Sequence, residues 1–177
     1  MITYIALLRG INVSGQKKVP MNELRNVLST LGLHNFQTYI QSGNVIFQSE
    51  NSNKIFLQNT IQSAIKNHFG FEVPAVVKTR VDLLDIVDSC PFDNDKKENS
   101  YFVVLHRSPK EDLKEAVSEI QLKNETFLVT NTCVYLYCSN GYGNAKGNNN
   151  FFEKHLKVTA TTRNYKTMLK LLSLSAD

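Results

Sequence analysis

The sequence predicts an α+β protein made of two tandem ferredoxin-like (β-α-β-β-α-β) subdomains with antiparallel sheets and an added C-terminal helix. Three observations predict this class. Short apolar runs alternate with segments of helical periodicity, the six-element order is complete by residue 78, and the order starts again at residue 100. We predict a first subdomain with a connecting helix at 1–90, a linker at 91–99 and a second subdomain at 100–177.

The first strand, within residues 3–11, is apolar at nearly every position, which is typical of a central strand covered on both faces. We therefore expect the open sheet faces to be covered, either by each other or by a second subunit. A helix begins near Pro20 and ends at Gly32. Its apolar stripe consists of Leu24, Val27, Leu28 and Leu31.

A hairpin and a second helix complete the first subdomain. Strands at 36–40 and 44–48 are joined by Gln-Ser-Gly at 41–43, which is typical of a hairpin turn. The next helix ends at Gly70 and is followed by a strand at 73–78.

Three helix starts are marked by capping residues, because their side-chain oxygens can accept hydrogen bonds from first-turn N–H groups. The candidates are Ser52 or Asn53 for the second helix, Thr79 with Asp82 for the connecting helix, and Ser108 with Pro109 and the carboxylate of Glu111 for the first helix of the second subdomain.

The second subdomain repeats the first. We expect strands at 100–105, 125–129, 133–138 and 158–161, a long loop at 139–150, and helices from Ser108, at 149–156 and at 164–172. The buried face of the last helix is expected to consist of Tyr165, Met168, Leu169 and Leu172.

Composition is ordinary for a soluble globular protein, with 42% hydrophobic and 20% charged residues. No apolar run is long enough for a membrane span and no basic leader precedes the first strand, so we expect a cytoplasmic protein without a membrane partner. The formal charge of +4 permits an acidic partner without requiring one.

The three cysteines, Cys90, Cys133 and Cys138, do not form the pattern of a disulfide scaffold. We expect Cys133 and Cys138 to be buried small hydrophobic residues on opposite faces of one strand. The four histidines are scattered and no carboxylate pair or nucleophile motif is present, so we predict no metal and no cofactor.

Chain topology predicts a candidate site at one sheet edge. The first and third strands are central and antiparallel, so the end of the first strand, the start of the first helix and the hairpin turn share that edge. Loop amides, the helix N-terminus and an arginine there suit an anion. The residues gathered at this edge are Arg9, Gly10, Asn12, Lys17, Lys18, Gln41, Ser42 and Asn44.

Each of these residues also has a purely structural interpretation. Arg9 can close a buried ion pair, and Gly10 and Gly43 can simply supply a positive φ. The two lysines can be a solvated loop tip, and Gln41 and Asn44 can hydrogen-bond within the hairpin.

Arg163 and Asn164 stand between the last strand and the last helix, and we include both in the predicted ligand-binding set. Asn164 can equally be a helix cap. Whether Arg163 reaches the edge that holds Arg9 is left open by the sequence.

A resemblance to a known family rests on several stretches in order: YIALLRGINV, KKVPMNELRNVLSTLG, TYIQSGNVIF and, late in the chain, TATTRNYKTMLKLL. These stretches resemble the bacterial family of domain of unknown function 1697 (DUF1697). The resemblance implies a pair of ferredoxin-like halves and a small cytosolic protein with no established activity. Its signature residues map here onto Arg9, Gly10, Asn12, Pro20, Met21, Gln41, Ser42, Gly43, Asn44, Thr162, Arg163 and Asn164.

Two positions depart from the family pattern. Tyr165 stands at a position where the family pattern usually has a tryptophan, and tyrosine keeps an aromatic side chain for packing there. The glycine-rich loop before the last helix is unusually rich in asparagine, which leaves its role open.

Three functional hypotheses follow. The first is a binding module for a small anionic ligand, phosphorylated or nucleotide-like. The second is an enzyme that acts on such a ligand at the same site, and the third is a non-catalytic interaction protein, in which a homodimer is one option. A nucleic-acid partner is a further alternative, because the commonest RNA-binding module shares this topology and stacks bases on aromatic residues of its central strands.

Overall fold

The structure is a computed structural model that describes residues 1–13 and 15–176. Ser14, within the predicted anion-binding loop, and Asp177, in the predicted second subdomain, lie outside the described residues. The described chain divides into two compact units, one formed by Met1–Leu84 with the C-terminal residues from Lys170, the other by Asp85–Leu169.

The first unit contains one complete set of six elements. Their bounds are β1 Ile2–Leu8, α1 Met21–Ser29, β2 His34–Tyr39, β3 Asn44–Ser49, α2 Lys54–Phe69 and β4 Ala75–Thr79. The sheet order is β2-β3-β1-β4, and every neighbouring pair is antiparallel.

Two helices follow in the chain, α3 at Arg80–Asp88 and α4 at Asn94–Glu98. The second set of six elements comprises β5 Ser100–Leu105, α5 Glu111–Ser118, β6 Glu125–Val129, β7 Cys133–Cys138, α6 Asn149–Leu156 and β8 Ala160–Asn164, and α7 spans Tyr165–Leu174. The second sheet has the order β6-β7-β5-β8 and is also antiparallel throughout. The predicted α+β class with two antiparallel sheets is confirmed.

The central strand β1 is buried on both of its faces, as its continuous apolar sequence predicts. Tyr4, Ala6 and Leu8 belong to the core that packs under α1 and α2. Ile5 and Leu7, which point to the opposite face, are both 0% exposed.

In the second unit, Cys133 and Cys138 are buried as predicted. Their separation along β7 is odd, so they face opposite sides of the sheet, and only Cys138 contributes to the core beneath α5 and α6. Burial raises the pKa of the Cys138 thiol to about 11, with a further contribution from Glu125. The thiol is therefore protonated and poorly nucleophilic at neutral pH.

Two details of the predicted elements are wrong, the start of α5 and the inward face of α7. Helix α5 begins at Glu111 after Lys110, not at Ser108 and Pro109, because Glu111 and Asp112 supply the first-turn negative charge and Ser108 makes no capping bond. The segment expected to be a linker contains the short helix α4, and the carboxylate of its N-cap residue Asp93 accepts a hydrogen bond from the Lys96 N–H.

The buried face of α7 is rotated about the helix axis relative to the predicted face, so that it includes Leu171 and not Leu169. Leu169 is 42% exposed, while Leu171 is 0% exposed. Met168 and Leu172 are buried as predicted. The helix extends to Leu174, and the buried positions lie at intervals of three and four residues along it.

Candidate functional site

Asn12 organises the loop that follows β1. Its side-chain Nδ2 donates to the Val19 carbonyl and to the Gln41 carbonyl, both at 2.9 Å, and its Oδ1 accepts the Val19 N–H at 2.8 Å. The Asn12 N–H donates in turn to the Lys17 carbonyl at 3.1 Å. Both amide donors of Asn12 are therefore used to close the loop and to attach it to the hairpin turn, and Asn12 positions the site.

The hairpin turn between β2 and β3 is held by Asn44, which is 0% exposed. Its Nδ2 donates to the Tyr39 carbonyl and to the Ser42 hydroxyl, both at 3.0 Å. Gly43 has φ +85° and its carbonyl accepts the Leu8 N–H at 2.8 Å. The hairpin interpretation of Asn44 and the positive-φ interpretation of Gly43 are both confirmed.

A surface groove of about 590 Å³ lies between this loop, the hairpin turn and the start of α1. We call it the α1 groove. Three of the predicted site residues line it, and its described lining residues are Asn12, Gly15, Lys18, Val19, Pro20, Met21, Asn22 and Gln41.

The helix that begins in the α1 groove has no side-chain cap. Pro20 occupies the N-cap position with an extended backbone. Its side chain accepts no hydrogen bond from the N–H groups of the first turn. The first-turn N–H groups of a helix have no intrahelical acceptor, and they carry a partial positive charge. Glu23, in the same turn, lies 3.7 Å from His68 and is not part of the groove lining.

Asn22 and Arg25 are functional candidates that the sequence prediction missed. Arg25 donates to Asn22 Oδ1 and, at 2.7 Å, to Thr38 Oγ1. Asn22 lines the α1 groove, so Arg25 fixes one of its lining side chains. Their spacing of three on α1, directly after a polar loop, is the signal that could have identified the pair.

The remaining first-unit candidates lie around the groove rather than in it. The Lys17 ammonium donates to the Glu72 carbonyl at 2.7 Å and lies 6.0 Å from the centre of the Phe71 ring. Gly10, with φ +69°, and Arg9 follow β1, and the Arg9 N–H donates to the Pro74 carbonyl at 2.9 Å. Neither Arg9 nor Gly10 is among the described residues that line the α1 groove.

Arg163 and Asn164 belong to the second unit, at the end of β8. Arg163 is 8% exposed, and its guanidinium donates to Thr161 Oγ1 and to the Thr162 carbonyl, both at 2.9 Å. Burial lowers the pKa of Arg163 to about 10, so it stays charged at neutral pH. Asn164 is exposed, and its Oδ1 accepts the Thr167 N–H at 2.8 Å, which confirms its role as a helix cap.

The asparagine-rich loop before α6 is held by internal contacts. Glu125 accepts the N–H groups of Lys146 and Gly147, both at 2.7 Å. Asn148 caps α6 by accepting the Phe151 N–H, and Asn149 donates to the Ala160 carbonyl. Its polar residues therefore have structural roles within the second unit.

The described residues were compared with the requirements of a metal site and of a membrane-spanning helix. No group of three histidine, cysteine, aspartate or glutamate side chains among those residues is placed to hold a metal ion. Among the same residues, no helix combines the length and apolar character that crossing a bilayer requires.

The chain is therefore an α+β protein with two four-stranded antiparallel sheets, and the α1 groove is an open surface groove of its first unit. The chain belongs to the family of proteins of unknown function DUF1697, which matches residues 1–135. It is also similar to the conserved bacterial protein SP0830 from Streptococcus pneumoniae, with 25% sequence identity, a TM-score of 0.75 and 99% of each chain covered. A comparison with curated proteins finds no match.

Proposed function

We propose that this protein is a binding module for a small anionic ligand, phosphorylated or nucleotide-like, that occupies the α1 groove. The observation that carries the proposal is the uncapped start of α1 within a groove that also presents Lys18. Helix N-termini bind phosphate and carboxylate groups because unpaired N–H groups and the helix dipole both favour negative charge.

Two side chains complete the arrangement. Lys18 is exposed and supplies the only cationic side chain among the described lining residues. Gln41 is exposed as well, and it is its backbone carbonyl, not its side chain, that accepts the bond from Asn12. The Gln41 side-chain amide therefore remains for a ligand, while Asn12 holds the two walls of the groove in place.

The test is a thermal-unfolding titration with inorganic phosphate and with adenosine monophosphate as probes. We expect a saturable rise in melting temperature, because a ligand that binds only the folded state stabilises it. Lys18→Gln should weaken the apparent affinity about tenfold or more, which is the scale of one charge-assisted hydrogen bond.

The matched control is Lys17→Gln, which removes the same charge from the neighbouring position. Lys17 is engaged with Glu72 and Phe71, so this variant should keep the response to the probe. Equal losses in the two variants would show non-specific attraction to a basic surface and would contradict the proposal. Arg9→Ala tests whether the predicted arginine contributes from outside the groove lining.

The alternatives have distinct signatures. Turnover of a bound compound would favour an enzyme at the same site, and salt-sensitive retention on single-stranded RNA would favour a nucleic-acid partner. Phe102 and Tyr135 on the central strands of the second sheet are 0% and 1% exposed. They do not present rings for base stacking, whereas Tyr101 and Tyr137 on the same two strands are only half-buried. The RNA-retention experiment therefore decides between the small anion and nucleic acid.

Two broader parts of the proposal also await a test. We propose a cytoplasmic location, which fractionation of expressing cells would check. We also keep the ferredoxin-like description of each half, which the matching element order and sheet order support.

A further inference from the structure

A second cavity, of about 340 Å³, lies entirely within the second unit. It forms at the sheet edge where β5 begins and where β7 and β8 end, because both strands pair antiparallel with β5. Its volume is within the range of small-molecule sites. We call it the β5 pocket, and its lining residues are Glu98, Asn99, Ser100, Tyr101, Tyr137, Cys138, Ser139, Gly141, Asn164 and Lys166.

Strand register brings two opposite charges to the rim of the β5 pocket. Tyr101 of β5 pairs with Asn164 of β8. Glu98 precedes Tyr101 by three residues and Lys166 follows Asn164 by two, so both charged residues lie just beyond the paired strand ends. Among the described residues, neither Glu98 nor Lys166 forms an ion pair with the other or with a third side chain.

Neither charged side chain stabilises the helix that carries it through the helix dipole. Lys166 lies in the first turn of α7, where the helix dipole disfavours a cation, and Glu98 ends α4, where it disfavours an anion. Helix stability therefore does not account for either residue at its position. A ligand that carries both charges would compensate both.

Most other polar groups of the β5 pocket are used internally. The Ser100 hydroxyl donates to the Lys97 carbonyl, the Ser139 hydroxyl to the Asn124 carbonyl, and Asn99 Nδ2 to the Asp95 carbonyl. Beside these bonded groups, the β5 pocket offers a ligand the pair of charges and the rings of Tyr101 and Tyr137.

Two half-buried tyrosines form those walls. Tyr101 is held by stacking on Tyr142, with ring centres 4.6 Å apart. The Lys96 ammonium lies 5.8 Å from the centre of the Tyr137 ring. These contacts keep the rings in place beside the charged rim, where they offer an apolar surface to a ligand side chain.

We propose that the β5 pocket binds a small zwitterion of the free amino-acid class. The ammonium group of the ligand pairs with the Glu98 carboxylate, its carboxylate pairs with the Lys166 ammonium, and its side chain lies against Tyr101 and Tyr137. This site is separate from the α1 groove, so each proposal can fail without the other.

The test is calorimetric and thermal-shift titration of the full chain with L-phenylalanine, L-leucine and L-glutamine. Each is compared with its methyl ester, which lacks the carboxylate, and with its N-acetyl derivative, which lacks the ammonium. We expect saturable binding of at least one free amino acid, and affinities at least about tenfold weaker for both of its derivatives.

Variants locate the binding. Glu98→Gln and Lys166→Gln should each weaken binding at least about tenfold, and Glu98→Gln should preferentially reduce discrimination against the N-acetyl derivative. Glu119→Gln and Lys154→Gln, at exposed positions of the same unit, are the matched controls and should bind as the parent chain does. Binding of none of the three amino acids, or equal binding of the N-acetyl forms, overturns the proposal.

Discussion

The hairpin turn next to the α1 groove requires glycine at position 43, because there is no room there for a side chain. The φ of Gly43 is +85°, and a Cβ built there would lie 2.7 Å from Leu8 Cβ and 2.8 Å from Ile11 Cδ1. Both the backbone conformation and the space therefore require glycine. The Leu8 contact also places the turn directly against the end of β1.

We expect Gly43→Ala to lower the free energy of unfolding by roughly 2–4 kcal/mol, from the left-handed backbone and from overpacking together. The measurement is urea unfolding followed by far-ultraviolet circular dichroism. Gly32→Ala is the matched control, because Gly32 has φ +68° but no atom within 4 Å of a built Cβ. If the two variants lost the same stability, the close approach to Leu8 and Ile11 would not matter.

The amide side chains of the candidate site show where prediction from sequence reaches its limit. Asn12 and Asn44 were placed at the correct sheet edge, because strand order alone brings them there. An asparagine that binds a ligand and one that closes a turn have the same chemistry, and only hydrogen-bond geometry separates them. The structure gives both residues internal partners, while Lys18 and Gln41 line the groove.

At the element scale, the starts of α2 and α3 were predicted well from their side-chain caps, whereas α4, which Asp93 caps, was not predicted. Asn53 accepts the Ile55 and Phe56 N–H groups, and the reciprocal bonds of the Thr79 and Asp82 capping box are present at 2.8 and 3.1 Å. Helix α5 was placed too early because it begins without a side-chain cap. Glu111, which was part of the predicted start, is the first residue of the helix.

The capping box at the start of α3 predicts a specific pH dependence. Burial, the largest single influence, raises the pKa of Asp82, but hydrogen bonds from Lys54 and Thr79 together outweigh it, so this pKa is below its ordinary value. A lowered pKa means that the ionised carboxylate favours the folded state. Its contribution is complete above the unfolded pKa of about 3.9 and is lost as the pH falls through the lower pKa of the folded state.

We therefore expect Asp82→Asn to lower the free energy of unfolding at neutral pH and to flatten the loss of stability between about pH 5 and pH 2. Urea unfolding at a series of pH values measures both effects. Asp85→Asn removes the same charge at an exposed position of the same helix and is the control. Identical pH profiles for the two variants would exclude a special role for the capping carboxylate.

The two-sheet architecture was predictable at the scale of the whole molecule because the six-element order occurs twice, and each occurrence adopts the same strand order. The rotation of α7 was not predictable from its own periodicity. Apolar residues at 168, 169, 171 and 172 allow two overlapping inward faces, and the choice depends on contacts with distant parts of the chain. The predicted division of the chain at 91–99 stays a prediction.

The C-terminal residues from Lys170 count with the first compact unit, although the whole segment Asp85–Leu169 separates them from Leu84 in the sequence. Leu171, at 0% exposure, is the most deeply buried leucine of this segment, and Leu169, two residues before it on the same helix, is 42% exposed. We expect Leu171→Ala to lower the free energy of unfolding by about 2–5 kcal/mol, since it leaves a cavity in a packed core. Leu169→Ala should change it by no more than about 0.5 kcal/mol, since an exposed site leaves no cavity.

Circular dichroism is the suitable probe for this pair, because the chain contains no tryptophan. Both substitutions remove the same atoms from the same helix and replace leucine with an equally good helix former, so helix propensity cancels in the comparison. A larger loss in Leu169→Ala would mean that α7 faces inward as its sequence first indicated. A larger loss in Leu171→Ala would show that the end of the chain is part of the core and that its removal would expose buried surface.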